Sequence, residues 1–209
     1  MEFAPLLVNN AGSTVTFKCA HATPLDLIRA TGQQTRFPIG VVLGEDLDAL
    51  SKPVRSYDLE NVNARDALLE AIQGTTFSLR EENHVAILFG GDITRRQQQL
   101  LMHRYAYFNP SQGATTVELG AYLNEWMWAA INPAQGSLSS IGGSLNDERF
   151  TLTPMKEATT EEIANRIVSL GSKGMWIFRV AAFHPTDASA DQIEVESYQH
   201  YSNRPYIEH

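Results

Sequence analysis

Residues 13–89 alternate between two hydrophobic periods. Val15, Phe17 and Cys19 put an apolar residue at every second position, the period of a half-buried strand. From Ala22 to Gly32 the period lengthens and the markers of a helix gather. Leu25, Leu27 and Ile28 form a stripe, Thr23 is placed to cap, Pro24 takes the first helical position, Asp26 stands three residues after the cap, and Gly32 supplies a left-handed stop. Phe37 to Leu43, with β-branched Val41 and Val42, predicts the next strand. Val54 to Leu59 predicts another, with Val54, Ser56 and Asp58 on one side and Arg55, Tyr57 and Leu59 on the other. A second helix is expected after Asn63: Asp66 lies three residues on, Ala67, Leu68, Ala71 and Ile72 share a face, and Gly74 ends it. Thr75 to Arg80 and His84 to Phe89, joined by Glu81-Glu82-Asn83, read as a β-hairpin.

The second half follows a diverged version of the same plan. Leu101 to Phe108 reads as a strand, Thr116 to Ile131 as an amphipathic helix, Phe150 to Met155 as a strand, Thr160 to Leu170 as a helix, and Met175 to Phe183 as a strand. The match is clearest where Asn63-Ala64-Arg65-Asp66-Ala67-Leu68 answers Thr159-Thr160-Glu161-Glu162-Ile163-Ala164, and Leu68 and Ile163 are expected as equivalent core anchors. Both helices leave through glycine into an aromatic strand, at Phe77 and Trp176. Asp92 to Leu101 admits a second reading, as a helix running on toward Tyr105. The predicted class is α+β: two tandem βαββαββ-like modules with helix pairs packed between small sheets. The expected division is a module at 13–90, a protease-accessible linker at 91–98 containing Arg95 and Arg96, a second module at 99–183, and a tail or edge segment at 184–209.

Phe17 to Gly32, Val54 to Val62 leading into Ala64 to Ile72, Thr76 to Arg80 and Val85 to Leu88 together resemble the short N-terminal domain of secretins and TonB-dependent transducers. Asp66-Ala67-Leu68-Leu69 and the Gly74-Thr75-Thr76-Phe77 exit carry the likeness best. Cys19 and His21 depart from its ordinary strand end, and the Glu45 to Pro53 connection is longer than the family's. The resemblance covers about residues 14–89 and consists of apolar patterns. It implies a two-helix layer between a two-stranded and a three-stranded sheet. It also implies a periplasmic contact module at the start of an envelope assembly, with protein partners or further copies of itself and no cofactor.

Length and apolar content fit two small packed domains that need no metal or disulfide. The single cysteine, Cys19, excludes an internal disulfide and reads as a small buried side chain. No apolar run approaches the ~20 residues of a membrane-spanning helix. Met1 to Val8 is too short, and Glu2 too acidic, for a signal peptide, which leaves the compartment open. A net charge of −8 counts against nucleic acid. Gly171-Ser172-Lys173-Gly174 has the form of a backbone clamp, but it leaves a helix for a strand and reads as a helix stop and turn.

Candidate chemistry is sparse. No nucleophile elbow, phosphate loop or zinc-binding cysteine pair occurs, and the six histidines show no ligand spacing, so neither a catalytic residue nor a metal site is assigned. Gly90-Gly91 and Gly142-Gly143 read as turns, and Asp26, Asp66, Glu161 and Glu162 as capping or helix-dipole acids. Trp128 stands about 180° from Leu119, away from the face of Leu119, Leu123, Trp126, Met127 and Ala130; it packs under a second sheet or marks a partner-binding patch. After Phe183, Ile193 to Glu196 alternates like an edge strand, and Tyr198, Tyr201 and Tyr206 either cover an edge or form an aromatic docking segment. The function expected is a non-catalytic interaction or assembly module of the cell envelope. The alternative is a small enzyme or ligand-binding protein with a site between the modules, built from His103, Tyr105 and the tail.

Overall fold

The computed structural model describes residues 14–46, 48–52, 54–110, 113–131, 148–170, 174–180 and 191–197. The first half contains β1 (Thr14–Ala22), α1 (Pro24–Thr35), β2 (Ile39–Val42), β3 (Arg55–Asn63), α2 (Ala64–Ile72), β4 (Ser78–Glu82) and β5 (Val85–Phe89). The second contains α3 (Arg95–Leu101), β6 (Arg104–Phe108), α4 (Thr116–Ile131), β7 (Met155–Thr159), α5 (Thr160–Ser169), β8 (Gly174–Val180) and β9 (Asp191–Ser197). The mixed α+β class is as expected.

Helix starts follow from their caps. At α1 the Thr23 N–H donates to the Asp26 carboxylate at 2.8 Å, and the Asp26 N–H donates to the Thr23 hydroxyl at 3.2 Å. Thr159 and Glu162 make the same reciprocal pair at α5, at 2.7 and 3.1 Å. Asn63 caps α2, and Gly74 (φ 71°) turns the chain after it. Gly32 is not the stop of α1. It lies buried inside the helix, which runs on to Thr35 and closes with Arg36 at φ 57°. The extra turn buries Thr35 and exposes Gln34, and the Thr31 and Thr35 hydroxyls satisfy themselves by donating back to the Leu27 and Thr31 carbonyls.

The strands form one central sheet and two outer ribbons. The central sheet has the order β4-β5-β2-β8-β9, with β2 parallel to β5 and to β8 and with antiparallel strands at both edges. The ribbons are β1–β3 and β6–β7, both antiparallel. Asn83 and His84, both at positive φ (51° and 65°), make the two-residue turn of the β4–β5 hairpin. Two cores lie on opposite faces of the central sheet. Ile39, Val41, Ala86, Leu88, Met175 and Ile177 pack with α1, α2 and the β1–β3 ribbon. Val42, Val85, Ile87, Trp176, Phe178, Ile193 and Val195 pack with α4, α5 and the β6–β7 ribbon. The result is five layers, ribbon, helices, sheet, helices, ribbon, and each half is a helix pair held between a ribbon and the sheet.

The repeat is visible in backbone detail. Leu59, Asn61, Val62 and Asn63 of β3 correspond, at one constant spacing along the chain, to Met155, Glu157, Ala158 and Thr159 of β7. Phe17 pairs with Leu59 and Phe108 with Met155; Val15 pairs with Val62 and Tyr105 with Ala158. Asn61 and Glu157, each two residues before its helix cap, both adopt left-handed φ (55° and 49°). In that alignment Leu68 answers Ala164 and Ile163 answers Ala67, so the large and small members of the buried pair are exchanged between the halves. Leu68 and Ile163 are both buried, yet they are not equivalent positions.

Three other expectations change. The segment 91–98 is not a plain linker: Thr94 and Gln97 form a capping box that opens α3, and Gln97, Leu100 and Leu101 are buried. The β6 strand therefore starts after that helix, at Arg104. Phe150 makes only an isolated bridge with Ala114, and the strand lies later, at Met155–Thr159. Finally, the halves are not separate domains in series, because β2 and β8 pair directly and one sheet serves both cores.

Candidate functional site

Two ion pairs tie the halves together at the two ends of the central sheet. On β4, Arg80 lies opposite Ile87 and so faces the second half's core, where its Nη2 donates to Glu161 in the first turn of α5. Glu161 is only 2% exposed. Its pKa is raised to about 7: burial pushes it up most, Arg80 pulls it down, and the neighbouring Glu82 carboxylate, with a hydrogen bond to it, adds to the rise. Arg80 also stacks on Phe89, 4.9 Å from the ring centre, and its buried Nε has no hydrogen-bond partner. At the other end, Arg29 of α1 grips Glu196 of β9 with both forks, at 3.0 and 2.6 Å. Glu161 therefore has more than a helix-end role. Its partner is 81 residues away in sequence, and nothing local announces the pair.

The outer face of the β6–β7 ribbon differs from its counterpart. On β1–β3 most exposed positions are polar, including Thr16, Lys18, Asp58 and Glu60, with Lys18 bridging to both acids; the exposed apolar residues there are Ala20 and, just before β3, Val54. On β6, one residue more separates Tyr105 from Phe108 than separates Val15 from Phe17, and Tyr107 is left 46% exposed. Met102, just before the strand, is 44% exposed. Beneath the ribbon sits an aromatic cluster. Tyr105 and Phe108 lie 5.7 and 5.5 Å from Trp126, and Tyr122 lies 5.7 Å from Phe108. This arrangement can present a stiff apolar and aromatic surface. The signal for it in the sequence was the inserted residue of β6, legible only once the two ribbons are aligned.

Trp128 is half-buried. It continues the line of Gly120 and Asn124, which face β9: a Cβ on Gly120 would strike Val195, and the Asn124 amide exchanges hydrogen bonds with the Ile193 backbone at 2.5 and 2.7 Å. Its indole nitrogen is buried, with no hydrogen-bond partner among the described residues. Leu119, Leu123 and Met127 are buried on the opposite arc as expected, whereas Ala130 is exposed. Tyr198, Tyr201 and Tyr206 lie outside the described residues, as do Ser172, Lys173 and the Gly142-Gly143 pair. Residues Ile193 to Glu196 form the expected edge strand, as part of β9. Cys19 is half-buried at the rim of the first core.

The residues of the alternative, enzymatic reading fall as follows. His103 is exposed and packs edge-on against Tyr105 at 4.8 Å, and the buried Tyr105 hydroxyl accepts from the Thr160 hydroxyl at 3.3 Å. Burial raises the Tyr105 pKa. Between the halves lies the central sheet, filled on both faces by buried side chains. Among the described residues no three His, Cys, Asp or Glu side chains gather as a metal site, and no helix is long and apolar enough to cross a membrane. No family model matches the chain, and none of the curated proteins or solved structures matches it either.

Proposed function

We propose that this chain is a non-catalytic protein-interaction or assembly module of the bacterial cell envelope, working in the periplasm in the manner of the N-terminal domains of secretins and TonB-dependent transducers. The observation that carries the proposal is the repeated unit itself. Each half holds a capped helix pair between a two-stranded ribbon and the central sheet, the arrangement that the resemblance of residues 14–89 implies. Such a unit commits its polar groups to caps and strand pairing and leaves ribbon faces and sheet edges for contact with other chains. The β6–β7 face, with Tyr107 and Met102, offers the apolar contact area.

The test is site-specific photocross-linking in cells that make the protein, with the probe at Tyr107 or, as a control, at Thr16 on the polar ribbon. The expected result is a cross-link from position 107 to an envelope protein or a second copy, with the chain recovered in the periplasmic fraction. Recovery in the cytosol alone, or equal cross-linking from both positions, overturns the proposal.

A further inference from the structure

Arg80 and Glu82 share the face of β4 turned to the second core, and Glu161 of α5 meets both, paired with the Arg80 guanidinium and beside the Glu82 carboxyl, at a seam lined mostly by apolar side chains. Ionised together, the two carboxyls leave a net negative charge beside Arg80 at a site where one of them is almost wholly buried, and among the described residues the buried Arg80 Nε has no hydrogen-bond partner. A single shared proton removes that excess and turns repulsion between the carboxylates into a hydrogen bond. The helix carrying Glu161 also packs on α3, α4, β2, β7 and β8, but the charges that act on the carboxyl both come from β4.

We propose that Arg80, Glu82 and Glu161 form a protonation latch between the two halves, closed when the carboxyls share a proton and loosened locally at α5 and β4 when both are ionised. The structural consequence lies at the sheet edge, because β4 is the terminal strand on this side and α5 is the element that holds its charged face. The direction follows from the raised folded-state pKa. Glu161 contributes fully below its ordinary value of 4.5, and the contribution is lost as the pH climbs to about 7.

Amide hydrogen exchange followed by mass spectrometry on the full chain tests this, with rates corrected for intrinsic pH dependence. In the parent protein, protection of segments 78–89 and 160–169 should fall at least tenfold between pH 5 and pH 8, while that of 14–22 stays level. Glu161→Gln, which mimics the protonated carboxyl, should keep the seam closed and flatten the profile. Glu82→Gln provides the same relief from the half-buried partner and covers the case in which the buried variant folds poorly. A flat parent profile overturns the latch. So does an unchanged slope in both variants, or a loss of protection shared equally by 14–22.

Discussion

The direct contact between β2 and β8 fuses the halves, and Gly40 is where it is tightest. Gly40 lies opposite Trp176, and a Cβ built on it would stand 2.4 Å from Cζ2 and 2.5 Å from Cε2 of the indole. Trp176 has no slack to give, because it is fully buried and its Nε1 donates to the Asn165 carbonyl oxygen at 2.8 Å. Gly40→Ala should therefore cost about 1–3 kcal/mol through overpacking. Trp176→Leu should cost about 3–5 kcal/mol, from the lost ring and the unpaired Asn165 oxygen. In the double variant the alanine methyl occupies space the indole vacated, so the two effects should fall short of additive by about 1–2 kcal/mol. Urea unfolding followed by far-ultraviolet circular dichroism measures all four species, because that signal survives loss of a tryptophan. Additivity within about 0.5 kcal/mol, or a neutral Gly40→Ala, would refute the β2–β8 register and with it the shared sheet.

Other perturbations probe the remaining contacts. Leu68→Ala and Ile163→Ala should each lower stability by about 2–5 kcal/mol, since both side chains are buried; an unchanged urea midpoint in either removes that residue from its core. Arg29→Ala leaves Glu196, whose side chain is 9% exposed, without its partner and should cost about 1–3 kcal/mol. Adding Glu196→Gln should restore part of the loss, and failure to do so would show that the pair is not what α1 contributes there. Trypsin under native conditions should spare Arg95 and Arg96, because α3 is capped by Thr94 and anchored by Leu100 and Leu101; early cleavage there would contradict the helix.

The parts of the fold legible in the sequence are those fixed locally. Thr23-Pro24, Asn63 and Thr159 announce helix starts because a cap and its acid lie three residues apart, and α4 has the expected bounds. The β7 strand was missed because Glu157 turns left-handed in its middle and breaks the alternation by which a strand is read. Gly32 misleads for the opposite reason: a glycine reads as punctuation, and here the helix buries it. The shared sheet did leave a trace. Ile39 to Val42, Val85 to Leu88 and Met175 to Phe178 are runs in which every residue is buried, and two-sided burial is what unbroken apolar runs of that length encode. Periodicity alone could not say that the first and last of these pair, because their contact joins distant parts of the chain.

Two-sided burial also governs how the sheet ends. On β2, β5 and β8 up to Phe178 the residues facing either core are apolar, since helices cover both faces; charge enters at Arg179, near the end of β8, which pairs with Glu194. The edge strands keep only one apolar face: Leu79 of β4 toward the first core, Ile193 and Val195 of β9 toward the second. Their other faces carry Arg80 and Glu82 on β4, and Gln192, Glu194 and Glu196 on β9. Charge at those positions stops either core from spreading past the edge, and a repeated unit with apolar outer faces would invite a further copy to stack there. Each half then turns this terminal charge into a tie to the other, with Glu161 of α5 on Arg80 and Arg29 of α1 on Glu196. The residues that end the sheet therefore also bind the two halves into one body, and these ties leave the outer ribbons and the strand edges beyond those charges uninvolved.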